Sequence, residues 1–218
     1  MKQKIYNLIV LDASGSMYNI KNEAVAGVVE TIQTIRTAQE ENAEQEQLFS
    51  LVVFNGKSIA TVYDRMPITK VSDFKEKDYQ PTDNTPLYDA MGNAITNLNR
   101  YIDENDNVLV TIITDGYENA STEWNHQRIN QLIESLKKKN WLFTYIGANQ
   151  DALAIARDMG IDYGMNFTSD VEGTKEMFMK EKLSRKAFYG KLSRDMNFSS
   201  VKSENYFIDN EGSNNSNQ

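Results

Sequence analysis

Four continuous apolar runs, Ile5 to Leu11, Leu48 to Phe54, Val108 to Thr114 and Trp141 to Ile146, punctuate the chain, with a weaker fifth at Tyr163 to Phe167. Strands of a parallel sheet covered on both faces have this appearance. Between the first two runs, Ile20, Ala24, Val28, Ile32 and Ile35 recur at helical spacing with Val25 and Val29 beside them, predicting a crossover helix that lays an apolar stripe on the sheet. Asn55-Gly56 is a hairpin signal, so Ser58 to Tyr63 reads as a short antiparallel strand at a sheet edge.

Thr85-Pro86 predicts the next helix, with Thr as N-cap, Pro at the first helical position, and Leu87, Met91, Ala94, Ile95, Leu98 and Ile102 on one face. Further helical patterns cover Thr122 to Lys139, Asp151 to Met159 and Val171 to Leu192. The alternation argues for a doubly wound α/β sheet with helices on both faces and one antiparallel edge strand, and it leaves the strand order open. One domain is expected over 1–192, followed by a C-terminal extension over 193–218. From Asn210 that extension lacks apolar residues and is predicted to be disordered.

Composition narrows the function classes. A chain of 218 residues, 40% hydrophobic, suffices for one large α/β domain with a sizeable core. No apolar run approaches the roughly 20 residues that span a bilayer, and the stretch before Asp12 is short for a signal peptide, so no membrane role and a cytoplasmic location are expected. The absence of cysteine removes disulfides, zinc-thiolate sites and cysteine nucleophiles. A net charge of -8 opposes broad binding to nucleic acid, which depends on neutralising phosphates. Lys180, Lys182, Arg185, Lys186, Lys191 and Arg194 concentrate between Lys175 and Lys202. They read first as a solvated helix face and second as a local basic patch.

The candidate chemistry begins where the first strand runs into Asp12-Ala13-Ser14-Gly15-Ser16. Asp12, Ser14 and Ser16 alternate around a glycine suited to a tight turn, so their oxygens can converge as a hard cation requires. Asp115, in Thr114-Asp115-Gly116, ends another apolar strand, and Thr85 opens a helix after a polar loop. Parallel strands of a doubly wound sheet end on one rim, which brings such segments within reach of one another. Taken singly, Ser14 and Ser16 are adequate helix caps, Thr85 another, and Asp115-Gly116 an adequate turn.

The set Asp12-x-Ser14-x-Ser16, Thr85 and Asp115 resembles the complete metal-ion-dependent adhesion site of von Willebrand factor A domains, in that family's chain order. The resemblance implies a Rossmann-like sheet of order 3-2-1-4-5-6, which sets the Asp12 and Asp115 strands side by side. It further implies that Ser14, Ser16 and often Thr85 ligate the metal directly, while Asp12 and Asp115 act largely through water. Segments such as Thr114 to Ser121, Gly147 to Ala152 and Asn166-Phe167 with Glu172-Gly173-Thr174 are similar to a bacterial and phage group of small stand-alone A domains. That likeness extends from Lys4 to Phe188.

The expected function is therefore a divalent-metal-dependent protein-interaction module rather than an enzyme. Mg2+, with Mn2+ as an alternative, would take an Asp or Glu from a partner protein. Tyr117, Trp124, Asn149 and Gln150 follow the same strand ends and are candidates for the partner-facing rim. For Tyr117 and Trp124 core packing is the alternative, and Asp151 beside them is a ready helix cap. His126, the single histidine, reads as a surface residue. Two other functions compete. A magnesium-dependent phosphatase or phosphotransferase would use Asp12 as nucleophile, but Ser14 stands where a second acid is usually needed. An RNA-linked adaptor would rely on the basic stretch near the C-terminus.

Overall fold

The computed structural model describes residues 2–148, 151–194, 198–202 and 204–207. Six strands form one sheet: β1 (Gln3–Asp12), β2 (Gln45–Asn55), β3 (Ser58–Pro67), β4 (Asn107–Thr114), β5 (Trp141–Ala148) and β6 (Tyr163–Phe167). Their order is β3-β2-β1-β4-β5-β6. β1 pairs in parallel with β2 and β4, the parallel run continues through β5 to β6, and β3 alone is antiparallel, folded back on β2 after Asn55-Gly56. The doubly wound order and the antiparallel edge are those expected, although β3 extends four residues beyond Tyr63, to Pro67.

Helices cover both faces. α1 (Lys21–Glu41) and α5 (Val171–Leu192) lie on one, while α2 (Leu87–Asn99), α3 (His126–Lys137) and α4 (Ala152–Asp158) lie on the other. The strand period of two divides β1 between two cores: Ile5, Ile9 and Leu11 pack toward α1 and α5, whereas Tyr6, Leu8 and Val10 pack toward α2 and α3. A short helix, α6 (Phe198–Lys202), carries part of the C-terminal extension back onto the domain, burying Phe198, Val201 and Tyr206 in the α1/α5 core. The tail from Asn210 lies outside the described residues. Among those described, no helix is long and apolar enough to cross a membrane.

The α1/α5 core contains a polar layer that the apolar pattern does not reveal. Arg185, expected on a solvated basic face, is fully buried instead. Its guanidinium pairs with Glu181 one turn earlier, Nη2 lying 2.6 Å from Oε1, and donates to Thr111 Oγ1 at 2.8 Å, Asn7 Oδ1 at 3.1 Å and the Tyr189 hydroxyl at 3.1 Å. With the Nε bond to Glu181 at 2.7 Å, every direction of its donor fork finds an acceptor. Burial opposes the charge, but Glu181 holds Arg185 protonated well beyond the ordinary arginine range. The layer continues as Asn7 donates to Gln47 and Gln47 to Gln45, so it joins α5 to β1, β2 and β4. Of the other basic residues in this stretch, Lys182 pairs with Glu30 and Lys191 with Glu204.

Removing one partner of a buried ion pair strands the other charge and costs about 3–5 kcal/mol. Arg185→Ala should therefore lower the unfolding free energy by about that amount in urea titration. The double change Glu181→Leu with Arg185→Met should recover much of the loss. An Arg185→Ala effect within about 0.5 kcal/mol, as at an ordinary surface position, would contradict the assignment.

Candidate metal centre

Three loops meet at the C-terminal ends of β1 and β4. After β1, Asp12 turns its carboxylate into the rim: Oδ1 accepts from the Ser14 amide at 2.6 Å and Oδ2 from the Thr114 hydroxyl at 2.5 Å. Ser14 leads into a 3-10 helix over Gly15–Ile20 without capping it, which frees its hydroxyl to approach Ser16 Oγ at 3.2 Å. Gly15 does not use a left-handed conformation, since the only positive-φ glycine among the described residues is Gly160. The turn expected of Gly15 is thus made by the 3-10 helix.

Asp115, just beyond β4, accepts from the Ser16 hydroxyl at 2.5 Å and from the Ser169 hydroxyl at 3.0 Å. Ser169 lies in the loop before α5 and carries no sequence motif that would have singled it out. Thr85 sits across Gly116: a Cβ placed on that glycine would lie 3.1 Å from Thr85 Oγ1 and 3.7 Å from Ser16 Oγ. The missing side chain therefore keeps a cradle open between two hydroxyls. Asp12, Ser14, Ser16, Thr85 and Asp115 are thus gathered in one cluster. All except Ser16 are buried.

The Thr85 segment is stitched to both neighbouring loops. Thr82 N–H donates to Ala13 O at 2.8 Å, Gly15 N–H to Asp83 O at 2.9 Å, and the Tyr79 hydroxyl to Asp12 O at 2.6 Å. On its other side, Thr85 N–H donates to Asn119 Oδ1 at 2.8 Å, and Asn119 N–H returns a bond to Thr85 O at 3.1 Å.

Thr85 is not the cap that the sequence suggests. α2 starts at Leu87 with Pro86 in the cap position, and its early amides are satisfied from elsewhere. Tyr88 N–H donates to Glu118 Oε2 at 2.8 Å and Asp89 N–H to Ser121 Oγ at 3.0 Å. In return, the Asp89 carboxylate accepts from the amides of Thr122, Glu123 and Trp124 at 2.8, 3.0 and 2.7 Å. Asp89 holds these residues in the loop, and α3 begins at His126 rather than Thr122, capped by Asn125.

Electrostatically the cluster is one-sided. Burial pushes the Asp12 carboxyl up to about 6, opposed by hydrogen bonds from Thr114 and Ser14 and reinforced by the Asp115 charge. Burial, with Asp12 and Asp115 nearby, also raises the Tyr79 hydroxyl well above the ordinary tyrosine range. Among the described residues, no Lys, Arg or His pairs with either carboxylate. Nor do three or more His, Cys, Asp or Glu side chains among them form a group that could hold a metal ion by themselves. The donors are two carboxylates and several hydroxyls, all hard oxygens, and such a set fits Mg2+ or Mn2+ better than a soft transition metal.

Of the rim candidates, Tyr117 is 60% exposed. Trp124 is partly buried against α2, where a Cβ on Gly92 would lie 2.1 Å from its ring, and its Nε1 donates to Asn93 at 3.0 Å. Asn149 and Gln150 lie outside the described residues. Asp151 caps α4 by accepting from Ala154 N–H at 3.0 Å.

No protein-family model matches the chain, and no curated protein matches it in sequence. Similarity to solved structures is extensive. The SpRpn10 VWA domain superposes with a TM-score of 0.59 at 11% identity, over 85% of this chain and 95% of that one. A mutant of the PilB minor pilin from Streptococcus sanguinis gives 0.61 at 12% identity, over 90% and 64%. The pilus adhesin SpaC from Lactobacillus rhamnosus GG, in its open conformation, gives 0.63 at 12% identity, over 84% and 30%. The chain thus spans nearly all of the first and less than two thirds of the pilin and the adhesin. At these identities the likeness establishes the fold, that of a von Willebrand A-type α/β domain.

Removing the carboxylate that holds three part-buried amides leaves them without that acceptor. Asp89→Ala should accelerate hydrogen exchange at Thr122, Glu123 and Trp124 by about tenfold or more and leave the central strands protected. Unchanged exchange at those three amides would refute the clamp.

Proposed function

We propose that this domain is a protein-interaction module in which Asp12, Ser14, Ser16, Thr85 and Asp115 hold a divalent cation, Mg2+ by preference or Mn2+, and a partner's Asp or Glu completes the coordination. The observation that carries this reading is a pair of carboxylates at neighbouring strand ends among hydroxyls, with no basic side chain among the described residues to neutralise them. Bound there, the cation would supply the missing positive charge and an electrophilic centre for one further carboxylate.

The chain's own groups divide the remaining work. Asp12 and Asp115 together match a double positive charge, while the serine and threonine hydroxyls are neutral and add no repulsion against an incoming acid. The Ser14 amide and Thr114 hydroxyl fix Asp12, and Ser16 and Ser169 fix Asp115, so both carboxylates are oriented in advance. Gly116 keeps the approach beside Thr85 open.

The same contacts favour binding over phosphoryl chemistry. Asp12 is fully buried and both its oxygens already accept hydrogen bonds, which is a poor situation for a nucleophile. The RNA-linked alternative loses Arg185 to the core, and two further basic residues of that stretch are paired with acids.

A ligand bound only by the folded state at about 100 times its dissociation constant stabilises by about 2.7 kcal/mol. Saturating MgCl2 should therefore raise the melting temperature, and chelation should reverse the rise. Asp12→Asn and Thr85→Ala should each abolish most of it while keeping the fold by circular dichroism. Capture of partner proteins should then require Mg2+. Binding that survives both chelation and Asp115→Ala would defeat this reading.

A further inference from the structure

Beside the metal cluster, a second concavity of about 200 Å3 opens where the start of α2, the loop after β4, the first turn of α3 and the end of α4 meet. Tyr88, Tyr117, Tyr145 and His126 supply four rings to its lining, and Glu118 and Asp158 supply two carboxylates. Among the described residues no Lys or Arg lines it, and its one potentially basic group is the His126 imidazole. Tyr88 and His126 meet edge to face with centroids 6.2 Å apart, and the Asp158 carboxylate lies 2.8 Å from His126 Nε2.

The negative character of this pocket is built in. Glu118 cannot swing away, because its oxygens accept from the amides of Tyr88, Ala120 and Ser121 and from the Ser121 hydroxyl at 2.6–2.8 Å. Burial and the charges of Glu118 and Asp158 raise the Tyr88 hydroxyl above its ordinary range, so both acids act on the same ring. Aromatic faces attract cations, and fixed carboxylates strengthen that preference. An anionic occupant would be repelled, and a purely apolar one would cover charge without compensation. Among cations, a planar guanidinium can both stack on tyrosine and meet a carboxylate.

Position ties this pocket to the metal cluster. Tyr88 follows Thr85 by three residues, and Tyr117 follows Asp115 by two. We propose that this pocket receives an arginine side chain of the same partner segment whose acid enters the metal cluster, so that the module reads an acid and a base presented together. The partner's identity here rests on the function proposed above. The pocket's preference for arginine does not.

Two titrations test the inference on the full chain. Nα-acetyl-arginine amide, added without metal, should shift the amide resonances of Tyr88, Tyr117 and His126, and its uncharged citrulline counterpart should not. Tyr117→Ala and Asp158→Asn should each weaken binding about two- to fivefold. Equal shifts from citrulline, or arginine binding untouched by both pocket variants, would overturn the pocket. In the second titration, peptides carrying one Glu and one Arg at varied spacing should, at some spacing and with Mg2+, bind at least tenfold tighter than Arg-only or Glu-only versions. If Mg2+ binds and the Glu-only peptide binds, yet no spacing gives that gain, the shared partner is overturned while the metal reading stands. If arginine amide binds as described but Mg2+ does not, the metal reading fails and the pocket's specificity survives.

Discussion

Two like charges buried at neighbouring strand ends are a liability that the rest of this rim is organised to contain. Asp12 and Asp115 approach because β1 and β4 are adjacent and parallel, so their ends share one edge of the sheet. Each carboxylate is held by donors from more than one segment, and no basic side chain relieves the pair among the described residues. The loops around the pair are bonded to one another. Hydrogen bonds from Thr82, Gly15 and Tyr79 on one side, and from Thr85 and Asn119 on the other, make a single framework of three loops.

That framework leans on two acids that hold backbone amides. Glu118 and Asp89 accept six backbone amides and one hydroxyl between them, standing in for a helix cap at α2 and holding the loop that leads into α3. Charged acceptors make stronger hydrogen bonds than neutral ones, so a loop of this kind can be as well ordered as a helix. The consequence for binding is pre-organisation. Under the proposed function, a partner would meet Glu118 already held in place, with little ordering cost left at that residue.

On the opposite face, the Arg185 layer gives α5 a polar register with the sheet. Apolar packing alone tolerates sliding, whereas a guanidinium with acceptors on α5, β1 and β4 fits only one placement. Tyr206 joins the same layer through Glu181, so the described part of the C-terminal extension is bound to the domain by polar as well as apolar contacts. Since β1 ends in Asp12 and β4 leads directly into Asp115, one pair of strands supports both polar assemblies, one at its middle and one at its end.

Local pattern determined much of this. The five parallel strands, the hairpin after Asn55 and the extent of α5 follow from apolar runs, turn residues and spacing, because each reports burial that neighbours in the chain experience together. Asp12, Ser14 and Ser16 were legible as a group because they are neighbours, and Thr85 and Asp115 joined them through the resemblance and the shared rim of parallel strands. Other features were decided only in three dimensions. Thr85 reads as a cap in sequence, yet the α2 amides belong to Glu118 and Ser121, some 30 positions away. Arg185 reads as a surface charge, yet it lies in the core because Asn7 and Thr111 on the central strands supply its acceptors. Ser169 bears no motif and becomes a partner of Asp115 only when the loop before α5 folds over the rim. Sequence spacing records periodic burial along a segment, whereas the satisfaction of a buried charge or amide depends on which distant segment arrives beside it.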